Sequence, residues 1–123
     1  MLEREGLVVV RPHAGCAVRE FSVAQVRKLY QVRTLFELGA VGPLLERRDE
    51  NLVERLSDLA SSGAAAAGTE SLGGAARQSD AFHEAFVCAS GNEFLLENWR
   101  GVWYQIRLLR ACAWGHDPER AVE

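Results

Sequence analysis

Apolar residues recur at three- and four-residue spacing through most of the chain, and only the first twenty residues break that rhythm. From Phe21 onward the pattern is helical. Ser22 followed by Gln25 is a capping box, which marks a helix start. Val26, Leu29, Tyr30, Val32, Leu35, Phe36 and Leu38 then fill most of the helix circumference. Between Leu29 and Leu45 the only charges are Arg33 and Glu37. A helix apolar nearly all round is buried on more than one side. Gly42-Pro43 should kink or restart it, because proline removes a ladder bond and clashes with the preceding turn. The charged run Glu46-Arg47-Arg48 stops it.

Asp49 can cap a second helix, with Leu52, Val53, Leu56, Leu59 and Ala60 as its apolar face. It runs into Ser61-Ser62-Gly63-Ala64-Ala65-Ala66-Ala67-Gly68, read as a frayed helix end or a mobile connection. Thr69 is expected to cap a third helix that reaches Ser90. Gly73-Gly74 softens its start by roughly 1 kcal/mol per glycine relative to alanine. Leu72, Ala76, Phe82, His83 and Phe86 share one face, so an imidazole interrupts an apolar stripe, and Asp80 stands one turn back. Ser90-Gly91-Asn92 is a stop and restart, with Gly91 as C′ and Asn92 as the next N-cap. The fourth helix, Glu93 to Trp114, carries Leu95, Trp99, Val102, Trp103, Ile106, Leu109 and Ala113, and Gly115 ends it. Asp117-Pro118-Glu119 then opens another. Helices joined by short connections pack as an antiparallel bundle.

Residues 1–20 are different. Leu2-Glu3-Arg4-Glu5 reads as the last turn of a helix and Gly6 as its C′ residue. Leu7 to Arg11 and Cys16 to Glu20 read as strands around the turn Pro12-His13-Ala14-Gly15. The expected fold class is therefore all-α, an antiparallel helical bundle over residues 21–123, preceded by a short β-hairpin within residues 1–20. A lone hairpin is marginal in water and must pack on something.

Composition narrows the function. The 123 residues suffice for one domain with a core, and the net charge of −3 gives no basic excess for gripping nucleic acid. Three widely spaced cysteines, Cys16, Cys88 and Cys112, form no C-x-x-C pair, which suggests a reducing compartment and a cytoplasmic protein. The N-terminus does not read as a signal peptide, and no stretch approaches a membrane span. No Ser-His-Asp, Cys-His or paired-carboxylate pattern stands out, Cys88 lies on another face from His83, and Gly73-Gly74 lacks the strand and lysine of a phosphate loop. Catalysis is not expected.

Three stretches in register resemble one family. Leu2 to Val8, followed by a strand, a Gly-containing turn and a strand ending in Val18, resembles the end of the recognition helix and the wing of a winged helix-turn-helix of the GntR type. Leu29-Tyr30-Gln31-Val32-Arg33-Thr34-Leu35-Phe36-Glu37 resembles the first-helix motif of the FCD ligand-binding domain of the FadR subgroup. Phe82-His83-Glu84-Ala85-Phe86 with Ala89-Ser90-Gly91-Asn92 resembles that domain's central motif. The resemblance implies a ligand-responsive transcription regulator of about twice this length, with its helix-turn-helix before Met1 and two more bundle helices after Glu123. It implies a small-molecule effector, a carboxylate, bound inside the bundle, a homodimer, and DNA bound through the helix-turn-helix. Arg11, His13 and Gly15 would then be wing residues that touch the DNA backbone.

The resemblance also implies an effector site at Arg33, Ser79 and His83. A guanidinium matches a planar carboxylate at two points; the competing reading of Arg33 is an intrahelical pair with Glu37. In the family a divalent metal (zinc, nickel or manganese) is held by an aspartate, a histidine four residues later and two further histidines. His83 matches the first histidine. Ser79 stands where the aspartate belongs, and Asp80 is one residue late, rotated by about 100°. The metal set would be His83 and Asp80 alone, which would not hold zinc tightly. Otherwise His83 hydrogen-bonds a neighbour such as Asp80. Arg107 and Arg110 read as solvated charges, and Trp99, Trp103, Phe82 and Phe86 as core. Two rivals remain: a helical metalloprotein or small metalloenzyme built on His83 and Asp80, and a remnant that only dimerises.

Overall fold

The computed structural model describes residues 8–11, 15–18, 20–69 and 72–115. Strands β1 (Val8–Arg11) and β2 (Gly15–Val18) pair antiparallel, with Val8 opposite Val18 and Arg11 opposite Gly15. Four helices follow among the described residues: α1 (Val23–Arg47), α2 (Glu50–Thr69), α3 (Leu72–Cys88) and α4 (Glu93–Gly115). The predicted helical turn before Gly6 and the helix opened by Asp117 lie outside the described residues.

The caps form as their chemistry requires. Ser22 accepts from the Gln25 amide at 3.2 Å while the Gln25 side chain accepts from the Ser22 amide at 2.9 Å, closing the capping box. Asp49 Oδ1 accepts from the Leu52 amide at 2.7 Å and starts α2. Asn92 Oδ1 accepts from the amides of Phe94 and Leu95, both at 3.1 Å, and starts α4. Gly91 has φ +71°, the left-handed conformation expected of a residue that ends α3 and turns the chain back.

Two expectations are corrected. Gly42-Pro43 does not restart the first helix: α1 runs through Pro43 as one element. Ala40 and Leu44, on either side of the proline, are buried in the bundle, and that packing outweighs the lost ladder bond. Thr69 does not cap the third helix. The serine-, alanine- and glycine-rich run stays helical, Thr69 is the last residue of α2, and α3 begins at Leu72.

The helices pack in antiparallel pairs. Gly39 on α1 faces Leu95 on α4, and Arg47 near the end of α1 lies against Gly91 at the start of α4, so the two run in opposite directions. Asp80 and Glu84 on α3 meet Arg110 and Arg100 on α4 in the same opposed order. α2 lies along α3. The core joins Ala40, Val87 and Trp99, wrapped by Phe36, Phe86, Leu95, Leu96 and Trp103. Trp99, Ile106 and Val87 are the largest fully buried side chains. Trp99 thus takes the core role its helical spacing predicts.

A left-handed conformation costs a residue with a Cβ roughly 1–2 kcal/mol. A Cβ at position 91 would also reach the guanidinium of Arg47, which is free to swing away. Gly91→Ala is therefore expected to lower stability by about 1 kcal/mol, measurable as a shifted midpoint with an unchanged slope in urea denaturation.

Candidate functional site

On α1, Arg33 and Glu37 lie one turn apart on the buried side. Arg33 donates from Nε to Glu37 Oε1 at 2.8 Å. The same oxygen accepts from the Trp99 indole N–H on α4 at 3.1 Å and lies 3.1 Å from His83 Nδ1 on α3. A single carboxylate oxygen therefore links three helices. Burial by itself would push the Glu37 carboxyl up. The hydrogen bonds from His83, Arg33 and Trp99, with the positive charge of Arg33, outweigh it and bring the group from its ordinary 4.5 down to about 2. Glu37 is ionised at any physiological pH.

A cleft of about 210 Å³ opens above this carboxylate, between α1 and α3. Leu38 and Val41 form its α1 wall; Phe82 and Phe86 form the other. The two phenyl rings stack with centroids 6.2 Å apart, and Phe82 meets the His83 ring edge-on at 5.5 Å. Thr34, Glu37 and His83 supply the polar atoms. An apolar cleft with a few convergent polar groups is the usual form of a small-molecule site. The larger depression between α2 and α3, about 660 Å³, is lined by exposed charges such as Glu54, Arg55 and Asp58.

The residues singled out from the sequence divide around this cleft. Arg33 is in the intrahelical pair, bonded through Nε, so its two terminal nitrogens lie outside that bond; it is not among the residues that line the cleft. His83 reaches Glu37 rather than Asp80 and lines the cleft. Asp80 turns the other way, toward α4: it is nearly buried, and Arg110 Nη2 donates to its two oxygens at 2.8 and 2.7 Å. The expected contact between His83 and Asp80 is thus replaced by two separate pairs. Arg110 is correspondingly no solvated charge, being only 20% exposed along its side chain. Arg107 is exposed, as expected, and stands 4.8 Å over the Trp103 ring. Ser79 is exposed and is not among the residues that line the cleft.

These residues do not fit a divalent metal. Both oxygens of Asp80 are occupied by Arg110, and the described residues contain no group of three or more histidine, cysteine or carboxylate side chains able to hold an ion. Of the three residues expected in a wing, Arg11 and Gly15 pair at the turn end of the hairpin, and His13 lies outside the described residues.

Sequence reasoning missed the shared acceptor role of Glu37. Its signal was present: a lone carboxylate on an otherwise apolar helix needs donors on its neighbours. It also missed the Asp80–Arg110 and Glu84–Arg100 pairs, the latter 2.8 Å long and more exposed. One further feature had no signal. The Trp103 indole N–H is buried with no hydrogen-bond partner among the described residues.

The model of the FCD domain matches residues 28–123. The chain belongs to the FCD domain family. Its two motif segments, about fifty residues apart in the chain, meet at the cleft: the first brings Thr34 and Glu37, the second Phe82, His83 and Phe86. The FCD fold is seen again in the solved structure of E. coli McbR/YncC, with a TM-score of 0.73 and 20% identity over 83% of this chain. The match covers 51% of that protein, so this chain spans about half its length. No curated protein matches the chain.

The depressed Glu37 carboxyl sets a sign for pH dependence. Its contribution to stability is complete above the ordinary value of 4.5 and is lost as pH falls toward about 2. The stability gap between wild type and Glu37→Gln is expected to be widest near neutral pH and to close between pH 4.5 and about 2, read from denaturation midpoints across that range.

Proposed function

We propose that this chain is the effector-binding domain of a ligand-responsive transcription regulator of the GntR type, and that a small organic acid binds in the cleft between α1 and α3. The observation that carries this reading is the convergence of both family motifs on one apolar cleft lined by Glu37, the carboxylate that Arg33 pairs with. The terminal nitrogens of Arg33 match a carboxylate at two points. Arg33 and Glu37 cancel in charge, so an entering anion meets no net negative field. The apolar walls take the body of the acid.

The mechanism is linkage. An acid wedged between α1 and α3 stabilises one placement of these helices. In a dimer, that placement sets the spacing of two DNA-binding domains, and operator affinity changes by the coupling free energy. DNA contact belongs to the helix-turn-helix part of the protein, with the hairpin of β1 and β2 as its wing. No described helix is long and apolar enough to cross a membrane. A regulator that binds DNA acts where the DNA is, which places this reading in the cytoplasm.

A melting screen against carboxylic acids tests this. A ligand at one hundred times its Kd adds about 2.7 kcal/mol, which raises Tm by several degrees. At least one acid is expected to do so, and Arg33→Ala is expected to abolish the response while Arg33→Lys keeps part of it. A screen with no stabilising acid, or an equal response in Arg33→Ala, sinks the proposal.

A further inference from the structure

The contact between His83 and Glu37 has a chemical consequence for what the cleft binds. An imidazole presents two nitrogens. In its neutral form one carries a proton and the other a lone pair, and the hydrogen bond made by one decides the character of the other. Nδ1 lies 3.1 Å from Glu37 Oε1. A carboxylate accepts and never donates when ionised, so Nδ1 must carry the hydrogen. The lone pair is then on Nε2.

We propose that Glu37 is a positioning residue that holds neutral His83 as its Nδ1–H tautomer, so that Nε2 serves the cleft as a hydrogen-bond acceptor. The effector class follows: an organic acid that also carries a donor, a hydroxyl or an amide N–H, on an otherwise apolar body. This deepens the reading of the cleft as the effector site and rests on it for the ligand, though not for the tautomer.

Three observations carry it. Glu37 and His83 line the same cleft, so the nitrogen that is set and the space it serves are adjacent. The acceptor oxygen is itself fixed, because Arg33 and Trp99 donate to it from two other directions at 2.8 and 3.1 Å. The imidazole is held edge-on to Phe82. Arg33 and Trp99 are engaged as donors to Glu37, and Nε2 adds a neutral lone pair on the α3 wall to the acceptors that Thr34 and Glu37 bring from α1. A site built to pair a ligand hydroxyl rejects the analogue that lacks it, because the buried group is then left unpaired.

The test has two arms, read independently. The first uses the free protein labelled with ¹⁵N at histidine, and records the imidazole nitrogens by NMR at a pH where His83 is neutral, with His83→Gln to assign the signals. Wild type is expected to show the Nδ1–H pattern. Glu37→Gln is expected to retain it, since the amide oxygen can still accept while facing Arg33 and Trp99. Glu37→Leu is expected to shift it toward the Nε2–H form. An Nε2–H pattern in wild type overturns the proposal outright, even if Glu37→Leu fails to fold. A purely structural role for Glu37 would leave the tautomer of a folded Glu37→Leu unchanged, which also overturns it.

The second arm compares melting with hexanoate, 2-hydroxyhexanoate and 2-methoxyhexanoate. The hydroxy acid is expected to bind about tenfold tighter than the other two in wild type, and to lose that advantage in His83→Phe. Equal shifts from all three acids, with the Nδ1–H tautomer present, overturn the ligand class alone. No shift from any acid overturns the cleft as an acid site and leaves the tautomer result standing.

Discussion

One carboxylate oxygen organises this bundle. Glu37 Oε1 receives a guanidinium from its own helix, an indole N–H from α4 and faces an imidazole on α3. An ionised carboxylate taken out of water is costly unless it is paired and hydrogen-bonded. Here three partners meet that requirement, and they come from three different helices. The requirement is therefore also a constraint on assembly. The oxygen is satisfied only when α1, α3 and α4 sit in one relative placement. The apolar core of Ala40, Val87 and Trp99 supplies non-directional attraction, and the carboxylate adds the direction.

The same arrangement explains how α3 serves two purposes with adjacent residues. Asp80 and His83 are one turn apart, yet each belongs to a different interface. Asp80 is locked by Arg110 against α4, which fixes the position of α3 without entering the cleft. His83 faces α1, where it meets Glu37 and lines the cleft. Truncating either partner of the Asp80 pair would leave a nearly buried charge alone. The functional face of α3 is steady because its other face is pinned.

Much of the local structure was legible in the sequence, because caps and periodicity act over a few residues. Ser22, Asp49, Gly91 and Asn92 perform the roles their chemistry predicts. The helix boundary missed at Pro43 has a clear cause: packing of Ala40 and Leu44 against the bundle overrode a local preference. The site was legible by halves. The family motifs pointed to Arg33 and His83; the fold joins both to Glu37 and sets His83, though not Arg33, in the lining of the cleft. The partners were not legible, since a helix pattern states which face a residue occupies and leaves open which helix it meets. Asp80 and His83 looked like a pair for want of that knowledge. Glu37 appeared only as the local mate of Arg33, when its deciding contacts are 46 and 62 residues away in the chain.

The buried indole of Trp103 gives the interior a chemical polarity of its own. One turn along α4 from Trp99, its N–H points at nothing able to accept it. An unmatched buried donor costs about 1–3 kcal/mol. A lone pair brought to that one N–H would recover the cost, so the seam beside Trp103 favours an oxygen over another hydrogen.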